Sequence, residues 1–263
     1  MALIHIGFFS EALGMCTGCD VILPQLTRAD EPARPFPTMY LLHNLTKSRS
    51  SWQRMSGIER YAVARGLAVI MPDAHLSSYA DMLHGGRYFT YIADELPEIM
   101  RGFFPLSRDR EQTFICGSSM GGYGALKIGL NRPDQYAAIG SLSSGFTSYR
   151  GFISRTDDRG LSLQYLTFGE TGLDEEDIDT AEKARAVAAS GGNVPRIFIT
   201  VGSEDPILLD NTREARDFFS AFEGDPFDFD YSEHPGGHNW AFWDAHICDF
   251  LDYAGLDPHA HLI

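Results

Sequence analysis

Several things are scarce in this sequence, and each scarcity removes a class of protein. Long apolar runs are missing: no stretch stays apolar over the roughly 20 residues that a membrane helix needs. Basic residues are few, 21 lysines and arginines against 36 acidic residues, for a formal net charge of −15. Such a surface repels phosphate backbones and anionic lipid, so neither nucleic acid nor a membrane is an expected partner. Cysteine is also scarce. Cys16 and Cys19 form a C-x-x-C, but no second pair accompanies them and no histidine lies at finger spacing, so a zinc site is not expected. The chain after Cys19 continues as strand-like Asp20-Val21-Ile22-Leu23 where a redox motif would start a helix. Both therefore read as buried or half-buried strand residues, and Cys116 and Cys248 as core. The opening Met1–Ser10 lacks a basic flank and a small-residue cleavage site, and reads as a first strand and not a signal peptide. A cytoplasmic protein is expected. Internal repeats, low-complexity tracts and long linkers are missing too, so residues 1–263 read as one domain.

What the sequence has is an alternation of apolar strands and amphipathic helices. Leu3–Ser10 and Cys19–Leu23 read as strands joined without a helix, then Thr38–His43 as a strand apolar on both faces. Trp52–Arg65 reads as a helix, Leu67–Met71 as a strand ended by Pro72, and Tyr88–Phe104 as a long helix that Pro97 kinks. Strands at Thr113–Cys116, Ala137–Ser143, Ile197–Val201 and Phe227–Ser232 alternate with helices at Met120–Leu130, Asn211–Phe222 and Trp240–Tyr253. The pattern predicts an α/β sandwich: a mostly parallel central sheet, an antiparallel N-terminal edge, and helices on both faces. The irregular stretch 145–190 predicts a small cap-like insertion.

Between one strand and the next helix stands Gly117-Ser118-Ser119-Met120-Gly121, a G-x-S-x-G. In that motif the central serine occupies a tight strand-to-helix turn with its hydroxyl exposed above the sheet, and side chains at the glycines would crowd the turn. Ser119 is the candidate nucleophile. A serine hydroxyl needs a base, and the base needs an orienting carboxylate. In α/β-hydrolases they follow in the order serine, acid, histidine. His238, in the glycine-rich loop before the last helix, is the candidate base, with His234 as the alternative. Asp205, just past a buried strand, is the candidate acid, with Glu204 and Asp210 beside it. The negative oxygen of a tetrahedral intermediate needs fixed donors. The backbone N–H groups of Met120, at a helix start, and Leu45, in the loop after Thr38–His43, are the candidates.

With these pieces placed, the chain resembles the tributyrin esterase family, within a broader esterase group that includes esterase D (S-formylglutathione hydrolase) and feruloyl esterases. The matching stretches are Tyr40-Leu-Leu-His-Asn44, Ser51-Trp52, Val69-Ile-Met-Pro72, Asp94-Glu-Leu-Pro97, Gly117-Ser-Ser-Met-Gly-Gly-Tyr-Gly-Ala125, Gly202-Ser-Glu-Asp205 and Gly237-His-Asn-Trp240. They span nearly the whole chain. The resemblance implies an α/β-hydrolase fold and a serine esterase for short acyl esters, with Ser119, Asp205 and His238 as triad and Leu45 and Met120 as oxyanion donors. It also implies a homo-oligomer. The chain departs from the family's Leu-Leu-His-Gly in having Asn44, whose amide could add a hydrogen bond of its own. Tyr123 and the ending Gly236-Gly-His-Asn-Trp-Ala-Phe-Trp243 favour the tributyrin or feruloyl side over the thioesterase side.

The expected activity is hydrolysis of short-chain carboxylic esters, acylated sugars and phenolic esters included, through an acyl-serine. The alternatives on the same triad are an S-formylglutathione-type thioesterase, a feruloyl esterase and an acyltransferase. From another class comes an inactive hydrolase fold used for binding, against which the intact triad argues. Trp52, Tyr79, Asp81, Phe146 and Trp240 are candidate substrate-binding residues, on loops at the strand C-termini. The acidic runs Asp157-Asp158 and Asp174–Asp177 read as solvated surface. His75, Asp81 and His84 match no metal-ligand spacing, and no metal or other cofactor is expected.

Overall fold

Period-two alternation builds the centre of the molecule. In β3 (Thr38–Leu42), Met39 and Leu41 join the core on one side of the sheet, and Tyr40 and Leu42 the core on the other. A strand covered on both faces can be apolar throughout. β4 (Ala68–Pro72) and β5 (Thr113–Ser118) are likewise buried at every position. The computed structural model describes residues 1–25, 35–144, 163–169 and 180–258.

Among the described residues β1 (Ala2–Ser10), β2 (Met15–Leu23), β6 (Ala138–Leu142), β7 (Arg196–Gly202) and β8 (Asp230–His234) join β3, β4 and β5 in one eight-stranded sheet, in the order β1-β2-β4-β3-β5-β6-β7-β8. β1 and β2 are an antiparallel hairpin, and β2 meets β4 antiparallel. From β4 onward, through β6, β7 and β8, every pairing is parallel. The expected mixed sheet with an antiparallel N-terminal edge is the observed one. One face is covered by α1 (Ser51–Met55), α2 (Ile58–Ala64) and α9 (Trp240–Tyr253), through Trp52, Ile58, Trp243 and Phe250. The other face carries α3 (Tyr88–Thr90), α4 (Leu96–Phe103), α5 (Met120–Asn131), α7 (Thr180–Ala189) and α8 (Leu209–Ser220). The short α6 (Leu163–Phe168) accepts hydrogen bonds from the backbone N–H groups of Leu83 and His84 through its Thr167 and Leu166 carbonyls. The rest of the expected cap, 145–162 and 170–179, lies outside the described residues and takes Phe146 and both acidic runs with it.

Four elements depart from expectation. β2 opens at Met15, four residues before the expected Cys19, because its first half pairs with β1 in the hairpin. The single helix Trp52–Arg65 is two, because the backbone is extended at Ser56 and Gly57 turns its N–H to the Asp244 carboxylate at 2.7 Å. The long helix holds a π-helical turn, Tyr91–Glu95, just before Pro97. Proline lacks the N–H and crowds the carbonyl four residues back, and a local widening relieves both. The last strand begins at Asp230, not Phe227, since Phe227 turns inward to pack edge-on against Phe219 and Phe222. As for the C-x-x-C, Cys16 and Cys19 sit three positions apart on β2, hence on opposite faces and about 10 Å apart. That exceeds disulfide reach. All four cysteines are free; Cys19 is buried as expected, but Cys16 is exposed, because it lies in the part of the hairpin that projects beyond the pairing of β2 with β4.

Candidate active site

The elbow is held by backbone. Ser119 has φ 55 and ψ −120, a conformation costly for any residue but glycine. Two bonds enforce it: its N–H donates to the Leu142 carbonyl at 2.8 Å, and its carbonyl accepts the Tyr123 N–H at 3.0 Å. The flanking glycines are required by space. A Cβ on Gly117 would stand 2.4 Å from the backbone of Gly121, and one on Gly121 would stand 2.3 Å from the Leu42 carbonyl oxygen.

The loops after β7 and β8 are laced together. Ser203 N–H donates to the His234 carbonyl and Glu204 N–H to the Gly236 carbonyl, at 2.8 and 2.9 Å. This close approach brings Asp205 to His238. His238 Nδ1 lies 2.8 Å from Asp205 Oδ2, and its Nε2 lies 3.0 Å from Ser119 Oγ. Its ring stands edge-on to Trp243, centroids 5.1 Å apart. Asn239 then accepts the Phe242 N–H and caps α9, which starts the helix directly after His238. Burial alone would raise the Asp205 carboxyl. The hydrogen bond from His238 and the N–H groups of Leu208 and Ile207 outweigh it and hold the pKa below the ordinary value.

The structure thus brings Ser119, Asp205 and His238 together in one chain of hydrogen bonds. It does not bring the alternatives. His234 stacks on His246 instead, centroids 4.2 Å apart, while Glu204 and Asp210 are exposed. Neither the Met120 nor the Leu45 backbone N–H has an acceptor among the described residues, and Leu45 and Ser119 line the same cleft. The cleft, of about 360 Å³, is also walled by Asn44, Ile207, Trp240 and Trp243. Thr46 and Lys47 line it as well and also border a second hollow of about 530 Å³, lined by Leu76, Met82, Tyr88 and Leu166.

Of the five candidate substrate-binding residues, Trp240 lines the cleft. Trp52 and Tyr79 do not: both are fully buried, Trp52 donating from Nε1 to the Leu42 carbonyl at 3.0 Å and Tyr79 from its hydroxyl to the His43 carbonyl at 2.8 Å. They brace the site from behind, because their polar tips reach backbone that the strand ends leave open. Asp81 is an exposed brace for the start of the next helical stretch, accepting from the Thr90 N–H and hydroxyl. Missed from sequence were Ile207, Trp243 and Lys47. Ile207 and Trp243 stand two and five residues from Asp205 and His238, so proximity in the chain was the available signal. The loop's left-handed residue is Thr46, φ 63, and the buried Asn44 Oδ1 has no partner among the described residues.

Among the described residues, one further group has metal-binding atoms close together: His234, His246 and Asp249. The two rings are nearly parallel, 13° apart, and His246 Nδ1 already pairs with Asp249 at 2.7 Å. Parallel rings do not aim their nitrogen lone pairs at one point, so this arrangement is a stack and not a formed metal site. No helix among the described residues is long and apolar enough to cross a membrane.

Comparison with known proteins places these features in company. A family model described as "Putative esterase" matches residues 10–253. An acetyl esterase of Caldicellulosiruptor saccharolyticus is 30% identical over 96% of this chain and 98% of its own length. The structure of FphF, a fluorophosphonate-binding serine hydrolase of Staphylococcus aureus with substrate bound, superposes with a TM-score of 0.87 at 29% identity, covering 97% of this chain and 98% of that one. FrmB, an S-formylglutathione hydrolase from the same organism, gives 0.84 at 30% identity, covering 97% and 99%.

Proposed function

The chain belongs to the Putative esterase family, and on that premise we propose that Ser119 is the nucleophile, His238 the base and Asp205 the orienting carboxylate of its ester-hydrolysing site. The protein is a serine carboxylesterase of α/β-hydrolase fold. What carries the assignment of roles is the double engagement of His238, with Nδ1 at 2.8 Å from Asp205 and Nε2 at 3.0 Å from Ser119 Oγ.

The chemistry follows from those contacts. The Ser119 hydroxyl donates to His238 Nε2, and as Oγ attacks the ester carbonyl its proton moves to that nitrogen. Asp205 stays ionised and stabilises the imidazolium through Nδ1–H; its depressed pKa suits the task. The carbonyl oxygen becomes an oxyanion that accepts from the N–H groups of Met120 and Leu45. Collapse breaks the ester C–O bond, and the leaving alcohol takes the proton from Nε2. Water then repeats the cycle on the acyl-serine and releases the acid.

The cleft is small and its wall beside Ser119 carries Trp240, Trp243 and Ile207, which supports a short acyl chain. The adjoining hollow beyond Thr46 and Lys47 has room for a larger alcohol, a sugar or phenol. The reading takes 1–263 as one domain with an insertion at 145–190. It also places the protein in the cytoplasm, supported by four free cysteines, and makes it a homo-oligomer, supported by the outer edge of β1, unpaired among the described residues, with Phe9 exposed. Light scattering tests that last part.

Turnover of p-nitrophenyl acetate and butyrate tests the activity. Ser119→Ala must abolish it, and a Ser119→Ala protein with full activity would overturn the assignment. A second reading, thiol ester hydrolysis, is favoured by the likeness to FrmB; kcat/KM for S-formylglutathione against an oxygen ester decides between them.

A further inference from the structure

An oxyanion hole works only if its donors are fixed before the charge appears. Met120 has this by construction, since its N–H opens α5. Leu45 does not. It lies in an irregular loop after β3, where a single peptide group can rotate, and something must hold it.

A trans peptide sets its C=O and N–H in opposite directions in one plane. Whatever grips the Asn44 carbonyl therefore aims the Leu45 N–H. The gripping group is His43. Its Nδ1 lies 2.8 Å from the Asn44 carbonyl oxygen, while the loop's own turn bond, from the Lys47 N–H, is longer at 3.3 Å. The ring is itself pinned, because Nε2 lies 3.0 Å from the Ala74 backbone N–H. A carbonyl only accepts and a backbone N–H only donates, so Nδ1 carries the hydrogen and Nε2 the lone pair. That defines one neutral tautomer. Burial lowers the pKa of this histidine, against the hydrogen bond to Asn44; a proton on Nε2 would face the Ala74 N–H, donor to donor. The His43 carbonyl is tied down as well, by the hydroxyl of Tyr79, whose ring packs on Gly124 of α5.

We propose that His43 is a positioning residue of the reaction: its Nδ1–H holds the Asn44 carbonyl so that the Leu45 N–H points into the cleft beside Ser119. The inference rests on the reading of Ser119 as nucleophile and Leu45 as donor. The ring touches no substrate and moves no proton.

Three substitutions separate this role from mere packing. The amide nitrogen of His43→Asn sits where Nδ1 sits and keeps the bond to Asn44. His43→Gln reaches Ala74 but not Asn44, and His43→Leu reaches neither. Rates are taken per active site, counted by fluorophosphonate labelling carried to completion, so unfolded protein does not contribute. His43→Leu and His43→Gln should lose about 10- to 100-fold in kcat, part of the effect of deleting an oxyanion donor, with KM moved by no more than about twofold. His43→Asn should recover most of the loss. If His43→Leu does not fold, His43→Gln against His43→Asn carries the comparison. Wild-type kcat per site in His43→Gln, or His43→Asn as slow as His43→Gln, would overturn the proposal. Ser119→Ala separates the two levels: inactive, it leaves the site reading intact whatever His43 does; active, it removes the reading on which His43 depends.

Discussion

Gly121 lies so close to Leu42 that a Cβ on it would stand 2.3 Å from the Leu42 carbonyl oxygen. This contact sets the distance between the nucleophile turn and the end of β3, from which the loop carrying Leu45 departs. The neighbour is backbone and cannot swing away. Gly121→Ala should therefore push the two apart, at about 1–3 kcal/mol in stability as for other overpacked sites. Its loss in kcat should exceed what the lowered stability explains. Denaturant titration and p-nitrophenyl butyrate hydrolysis check both, and an unchanged rate would mean that the spacing does not matter to the chemistry.

Asp205 spends both its oxygens. Oδ2 faces His238, and Oδ1 accepts the N–H groups of Ile207 and Leu208 at 2.8 and 2.9 Å. An asparagine has one accepting oxygen, so its NH₂ must face one of the two sets of donors. If Oδ1 keeps its turn, the amide N–H faces His238 Nδ1 and forces the wrong tautomer. Asp205→Asn should keep the fold and lose on the order of 10⁴ in kcat, the scale seen when a triad carboxylate becomes an amide. A loss below about tenfold would point to another orienting group.

Much of this was legible in the sequence because the physics was local. The apolar runs at β3, β4 and β5 announced the buried strands of the sheet. The glycines at 117 and 121 are needed for the spatial reason that their spacing suggests. The order of Ser119, Asp205 and His238 anticipated which side chains meet. What was not legible came from contacts distant in the chain. The break at Gly57 depends on Asp244, 187 positions away. Trp52 and Tyr79 are aromatic residues near strand ends, which is also where a pocket wall would be, and only packing shows that they face the backbone. The role inferred for His43 was hidden for the same reason: Ala74 and Tyr79, which hold it, stand 31 and 36 positions on.

Away from the cleft, Glu233 on β8 makes a paired hydrogen bond with Arg213, both contacts at 2.8 Å, and accepts the Tyr231 hydroxyl at 2.7 Å. Arg213 first, then Tyr231, lower its pKa from 4.5 to about 2. A carboxyl depressed in the folded state stabilises it above the unfolded pKa, and the stabilisation fades as pH falls through the folded value. Glu233→Gln should thus melt earlier than wild type at neutral pH, with the gap closing between about pH 4.5 and 2. The gap should be small, since the pair is partly exposed and salt-screened. Parallel melting curves across that range measure it; a gap that stays constant with pH would assign the difference to packing and not to charge.

The cysteines offer a test of the fold that needs no mutation. Cys16 is exposed on β2, while Cys19 is buried beside Met100, its thiol pushed up to about 12 chiefly by burial. Cys116, in the centre of β5, is buried and its thiol is raised well above the ordinary value for the same reason. Reaction with a disulfide reagent needs a thiolate and access to it. In native protein one thiol, Cys16, should react quickly, and Cys248, half-buried on α9, slowly. Cys19 and Cys116 should react only after denaturation. Mild oxidation should leave Cys16 and Cys19 unlinked, because β2 holds them on opposite faces of one strand. An intrachain disulfide between them, found by mass spectrometry in folded protein, would require β2 to open and would contradict the register Ile6 to Cys19 and Phe9 to Cys16 that seats the hairpin on the sheet.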